Sequence, residues 1–107
     1  PKIHKNDCRI NWQQPAGKIN NFVRGLSPYP TAWTKMNGKI MKVFRIGKCP
    51  GEKLSPAQVS TDHRTFLKVG ALDGCIELME IQLEGKKRMD IPTFLRGLQN
   101  KPGIKID

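Results

Sequence analysis

The chain is 107 residues long, 37% apolar and 26% charged, and its nineteen Lys and Arg against nine acids give a net charge of +10. This is the size and composition of one globular domain that can bury a core without metal or disulfide staples. No run of 18 apolar residues is present to span a membrane as a helix, and the polar, basic first dozen residues lack the apolar centre of a secretory signal. In chain order, residues 8–12 (Cys-Arg-Ile-Asn-Trp) predict a short strand with Ile10 and Trp12 on one face. A helix follows Pro15, a residue tolerated in a first turn, because Ile19, Phe22, Val23 and Leu26 recur at i, i+3, i+4 and i+7. Gly25, Ser27, Pro28 and Pro30 then end it in a stiff loop.

A β-rich stretch comes next. Residues 31–36 and 39–47 flank Asn37-Gly38, a two-residue hairpin turn. The second arm is apolar on both parities, with Ile40, Phe44 and Ile46 on one and Met41 and Val43 on the other, as in a barrel strand partly covered outside by a helix. A loop over 48–56 leads to short strands at about 57–61 and 65–71, and Asp73-Gly74 turns the chain into a strand over 75–84. That strand changes phase between Ile76/Leu78 and Ile81/Leu83, which predicts a bulge near Met79-Glu80. After Gly85-Lys86-Lys87-Arg88, Asp90 caps a last helix whose Ile91, Phe94, Leu95 and Leu98 face the core. The expected architecture is mainly β: a small open Greek-key barrel, OB-like, of about five or six strands with one helix near each terminus.

Charge is unevenly placed. Between Asp7 and Glu52 there is no acid, yet the stretch holds Arg9, Lys18, Arg24, Lys35, Lys39, Lys42, Arg45 and Lys48. A solvated surface without a partner mixes its signs, so an unmixed basic half points to a polyanion, nucleic acid ahead of an anionic membrane. The residues expected to face phosphate are Arg24, Lys39, Lys42 and the cluster Lys86, Lys87 and Arg88. Arg24 closes the first helix, where the dipole favours a cation; Lys39 and Lys42 flank the acid-free hairpin. The cluster puts three charges on one turn.

Catalytic chemistry is harder to find. His4 and His63, the only histidines, fall in a tail and a turn, where solvent-exposed residues are expected. Cys8, Cys49 and Cys75 are odd in number, far apart, and form no C-x-x-C pair, so reduced thiols in a cytoplasmic protein are expected in preference to a disulfide or a zinc site. Gly47-Lys48-Cys49-Pro50-Gly51-Glu52-Lys53 lacks the Gly-Lys-Ser/Thr ending of a phosphate loop. The acids after Asp73 alternate with apolar residues as the wet face of a strand. Trp12, Phe22, Phe44 and Phe94 sit at core-like positions, leaving Tyr29 and Trp33 as candidates for exposure. No catalytic residue and no metal site is expected in this chain, which is expected to be a monomer.

Several runs carry a resemblance. Arg9-Ile10-Asn11-Trp12, Pro15-Ala16, Ile19 to Leu26 with Arg24-Gly25, and then Pro28, Pro30 and Ala32 come in this order. Leu67-Lys68-Val69, Asp73-Gly74, Ile76-Glu77-Leu78, Gln82 to Met89 and Phe94-Leu95-Arg96-Gly97 follow. In order and spacing the whole resembles the formyltransferase C-terminal domain family, including its Gln-x-x-Gly-Lys-Lys-x-Met signature. Residues 1–7 are similar to the linker that leaves the family's catalytic domain. Asn11 stands where the family usually has Asp, and Ser55-Pro56-Ala57-Gln58-Val59 replaces its usual Pro-Gly turn, which leaves that loop's shape open. The resemblance implies an OB-like domain whose basic face holds tRNA. It also implies a separate N-terminal domain that binds 10-formyltetrahydrofolate and moves its formyl group onto the methionyl amino group of initiator tRNA. The equivalent domain of a sugar N-formyltransferase or of a formyltetrahydrofolate hydrolase or dehydrogenase, and a stand-alone OB-type nucleic-acid binder, are the other readings.

Overall fold

The computed structural model describes residues 8–27, 30–49, 53–98 and 103–106. The expected linker at residues 1–7, with His4, lies outside the described residues, as do Pro28, Tyr29 and Pro50-Gly51. The elements in order are α1 (Ala16–Leu26), β1 (Ala32–Met36), β2 (Lys39–Lys48), β3 (Val59–Thr61), β4 (Leu67–Gly70), β5 (Cys75–Leu83), β6 (Met89–Asp90) and α2 (Ile91–Gly97). The strands form one antiparallel sheet in the order β1-β2-β5-β4-β3, with β6 also paired to β5. The sheet curls into a half-barrel, mainly β with a helix near each end as expected.

β5 is the central strand because it is long enough to be shared. Its residues 76–83 pair with β2 on one side, while its two halves pair with β4 and β6 on the other. The change of phase along it is resolved by two bulges, not one. Val43 pairs with Ile81, Arg45 with Glu80 and Ile46 with Leu78, so Phe44 on β2 and Met79 on β5 are both left out of register. Each strand thereby switches which parity faces inward, and Met41, Val43, Ile76, Leu78, Ile81 and Leu83 are all buried. This is why both strands read as apolar on two parities.

The β1–β2 turn falls on Asn37-Gly38, with φ +52° and +84°, the left-handed pair that a two-residue hairpin of this twist requires. α1 lays Ile19 and Val23 into the core, but Pro15 offers it no side-chain cap. The cap comes from across the fold: the Ala16 amide donates to the Asp73 carboxylate at 2.8 Å, tying the helix to the β4–β5 turn. α2 is capped locally, the Thr93 amide donating to Asp90 at 2.9 Å, and buries Ile91, Phe94 and Leu95. Hydrogen bonds from the Thr93 side chain, foremost, and the Thr93 amide hold the Asp90 carboxyl below its ordinary range.

Three expectations change, and one loop left open takes a shape. Residues 8–12 make only one parallel bridge, Arg9 to Trp33, although Ile10 and Trp12 are buried together as read and the Trp12 indole donates to Thr34 Oγ1 at 3.0 Å. A short strand, β6, occupies Met89–Asp90 just before α2. The loop departing from the family pattern is a tight turn: Gln58 N donates to Ser55 O, and a Cβ on Gly70 would lie 1.9 Å from that same oxygen. Finally, Cys49 and Cys75 form a disulfide with Cα atoms 5.4 Å apart, instead of staying reduced. Lys48 pairs with Ile76, so the β2–β5 register carries the next two residues, both cysteines, into contact. Twenty-six residues separate them in sequence, and only the sheet brings them together. Cys8 is buried and takes no part in a disulfide.

Candidate nucleic-acid interface

Alternation about the buried Met41 and Val43 turns the other parity of β2 to the outside of the sheet. There Lys42 lies between Trp33 of β1 and Gln82 of β5. Met89 pairs with Ile81, which carries the preceding residue, Arg88, alongside Gln82. One transverse row across three strands therefore brings Lys42 and Arg88 together with Gln82 between them. Gln82 Nε2 donates to the Lys86 carbonyl at 3.0 Å and so holds the 84–88 turn against the sheet. The same turn is fastened to β2 by two further bonds, Glu84 N to Ile40 O at 2.8 Å and Ile40 N to Glu84 Oε1 at 3.1 Å. A shallow depression lined by Ile40, Lys42, Gln82, Leu83, Glu84 and Gly85 lies at this junction.

Of the six residues expected to face phosphate, Lys42, Lys86, Lys87 and Arg88 converge here, and all four are exposed. Lys39 is exposed too but has the parity of Met41, so it projects past the core at the hairpin tip, on the other face from Lys42. Arg24 is exposed in the last turn of α1, whose end is fastened to this region by Ser27 Oγ donating to Phe44 O at 2.9 Å. Among the described residues, no hydrogen bond or ring contact joins Arg24 to the lysines. Two further cations lie on the outer parity: Lys35, opposite Ile40, and Arg45, opposite Glu80. For Lys35 the alternation of β1 is the signal that finds it. Arg45 is hidden from any alternation rule by the bulge beside it.

Arg88 differs from its neighbours. Its Nη2 donates to Glu80 Oε1 at 2.5 Å, and its guanidinium carbon lies 4.0 Å from the centre of the Phe44 ring. Phe44 is thus half-buried beneath an arginine and not a core aromatic, because the bulge removes it from the inward parity. Trp33 changes in the opposite sense: it is buried, with Arg9 5.5 Å from its ring. Trp12 and Phe94 are core residues as read, and Phe22 packs against the core half-buried.

The wider electrostatics are lopsided. Asp62, Asp73, Glu80, Glu84 and Asp90 each accept a hydrogen bond from a named donor within the fold. Lys39, Lys42, Arg45, Lys86 and Lys87, by contrast, have no side-chain partner among the described residues. Among the described residues, most carboxylates are thus engaged by donors of the fold while these cations stay available to a partner.

Nothing in this arrangement pairs a nucleophile with a base. His63 lies in the β3–β4 turn, half-buried instead of exposed, with Nδ1 covered and lacking a hydrogen-bond partner. Among the described residues no group of three His, Cys, Asp or Glu could hold a metal ion. No helix of the described residues is long and apolar enough to cross a membrane.

The profile of the family described as "Formyl transferase, C-terminal domain" matches residues 2–99. The chain is 45% identical over 105 residues to the methionyl-tRNA formyltransferase of Parabacteroides distasonis, covering 92% of this chain and 32% of that protein. It is 38% identical over 112 residues to the methionyl-tRNA formyltransferase of Bacteroides fragilis, covering 99% and 35%. The chain thus spans about a third of the length of these relatives. Among solved structures, HypX from Aquifex aeolicus shares the fold, with a TM-score of 0.70 at 21% identity over 98% of this chain and 21% of that one.

Proposed function

Since the chain belongs to the formyl transferase C-terminal domain family, we propose that it is the tRNA-holding domain of a methionyl-tRNA formyltransferase. In that role it works in the cytoplasm at translation initiation, beside a catalytic N-terminal domain. The formyl group of 10-formyltetrahydrofolate would be bound and moved in the catalytic domain. The observation that carries this reading is the outer face of the sheet, where Lys42, Lys86 and Lys87 converge without acidic partners. Cations held by backbone geometry at fixed spacing suit a phosphate backbone. A lysine engaged by a carboxylate would have to break that pair first.

Phosphate contacts position a nucleic acid and carry no sequence information directly. The chain by itself is therefore expected to bind initiator and elongator tRNA with similar, modest affinity. It is also expected to turn over no formyl donor. Filter binding of both tRNAs over a range of salt concentrations tests the first expectation. A preference for initiator tRNA on the order of 100-fold, about 2.7 kcal/mol, would show that this domain reads identity elements, and a flat salt dependence would remove the phosphate reading.

A further inference from the structure

Arg88 is the one cation of the 84–88 turn whose orientation the fold dictates. The Phe44 ring lies behind its guanidinium at 4.0 Å, and Glu80 holds one edge through Nη2 at 2.5 Å. Yet 46% of the side chain remains exposed. A guanidinium that stacks on the ring at this distance and is held at one edge by the carboxylate would leave its opposite face to solvent. An ion pair alone would fix a charge; ring and carboxylate together fix a plane. Arginine is suited to this because its delocalised, weakly hydrated guanidinium stacks on aromatic faces, whereas a lysine ammonium is a strongly hydrated point charge.

The bulge at Phe44 does more than bring the inward parities of β2 and β5 into step. It takes a large aromatic side chain out of the inward parity and sets it beneath an arginine. Around the plane stand the groups that suit a nucleic-acid backbone: Lys42 across Gln82, and Lys86 and Lys87 just before it in the chain. Unpaired bases in RNA are commonly held by stacking on aromatic side chains or on Arg guanidinium planes, and every base has a face to offer. We infer that Arg88, backed by Phe44 and held by Glu80, is a stacking platform for an unpaired nucleobase of RNA whose phosphates run along Lys42 and the 86–87 lysines. This rests on the reading of the face as an RNA surface. It adds to that reading a contact that is planar and not electrostatic.

Arg88→Lys separates the two kinds of contact, because it keeps the charge and removes the plane. Stacking is worth about 1–3 kcal/mol per base, which corresponds to roughly 5- to 150-fold in affinity. If Arg88 is a platform, Arg88→Lys weakens tRNA binding by about tenfold, while the slope of log affinity against log salt stays that of the wild type. The same substitution leaves binding of a fully paired RNA duplex unchanged, since a duplex offers no free base face. If Arg88 is only a phosphate contact, Arg88→Lys binds tRNA like the wild type and Arg88→Ala lowers the slope by about 0.7–0.9, which overturns the inference. Phe44→Leu is the second variant: it leaves Arg88 and its charge in place but removes the backing ring. It too is expected to weaken tRNA binding at an unchanged slope, and wild-type affinity there counts against the platform. Circular dichroism melting of each variant verifies folding. Should the wild-type chain itself not bind tRNA, the RNA reading of this face fails, and the platform falls with it.

Discussion

Two turns of this domain are rich in charge, and they use it in opposite ways. In the turn joining β3 to β4, Asp62 accepts hydrogen bonds from the amides of Arg64, Thr65 and Phe66 at 2.8, 2.7 and 3.2 Å, and from the Thr65 hydroxyl at 2.6 Å. The carboxylate is spent on the backbone around it, and these bonds, that of the Thr65 side chain foremost, hold its pKa well below the ordinary carboxylate range. In the turn joining β5 to β6, the backbone, Gln82 and Glu84 hold the chain in place, while the side chains of Lys86 and Lys87 contribute no bond to the fold. One turn uses charge to build itself. The other also carries two lysines that the fold leaves unengaged, which is the expected state of residues kept for a partner. The lesson is that a charged cluster in a sequence is informative only once it is known what the fold has already engaged.

If that contrast is right, perturbations of the fold and of the lysine turn should separate in two measurements, melting temperature and the salt slope of tRNA binding. The largest effect on stability should come from the disulfide, which touches neither turn. Cross-linking residues 26 apart stabilises by roughly 3 kcal/mol on the chain-entropy account, so dithiothreitol or the double change Cys49→Ser, Cys75→Ser should lower the melting temperature by roughly 15 °C. The salt slope measured well below that temperature should not move. A melting curve indifferent to reductant would show that the bond contributes nothing to stability.

Next in size is Gly70→Ala, at the end of the strand that leaves the 62–66 turn. Its Cβ would sit 1.9 Å from Ser55 O, a backbone atom that cannot swing aside as a side chain can. The expected loss is about 2 kcal/mol in chemical denaturation, within the range for overpacking, again with the salt slope intact. Wild-type stability would mean that the Ser55–Gln58 turn shifts freely.

The lysines should behave in the reverse manner. Replacing Lys86 and Lys87 together with Ala should flatten the salt slope by roughly 1–2 units, as expected for one or two lost phosphate contacts. Melting should change by no more than about 0.5 kcal/mol equivalent, because both side chains are exposed and unpartnered. An unaltered slope in a folded variant would move the phosphate surface elsewhere on the domain.

The smallest effect is a dependence on acid. Asp62 and Asp90 both have folded pKa values below the ordinary 3.8, so each contributes stability that is fully present above that value and is lost as pH falls through it towards the folded values. Denaturant midpoints should therefore decline from about pH 5 to pH 2. In Asp62→Ala the midpoint should start lower at neutral pH and decline less, while tRNA binding at neutral pH is not weakened. A variant with the wild-type acid profile would show that the bonds to Asp62 do not distinguish folded from unfolded chain.

Much of this was readable along the chain because it is local. The spacing of Ile19 and Val23 marks α1, Asn37-Gly38 marks the hairpin, and Asp90 three residues before Thr93 marks the cap of α2. Each depends on neighbours within a turn or two, where covalent geometry limits the outcomes. The basic bias, and the phase change at Met79-Glu80, were equally visible, since composition and parity need no knowledge of partners. What sequence left open was whatever depends on register between distant strands. Only the β2–β5 pairing brings Cys49 to Cys75, and only the bulge between the Val43–Ile81 and Arg45–Glu80 pairs takes Phe44 out of the core and sets it under Arg88. The same pairing separates Lys42 from Lys39, three residues away but on opposite faces, and joins Lys42 to Gln82, forty residues on. Periodicity determines which side chains share a face of one strand. Which faces meet is decided by the packing of the whole sheet, because a shift of a single residue in any strand would turn every side chain on it to the other side.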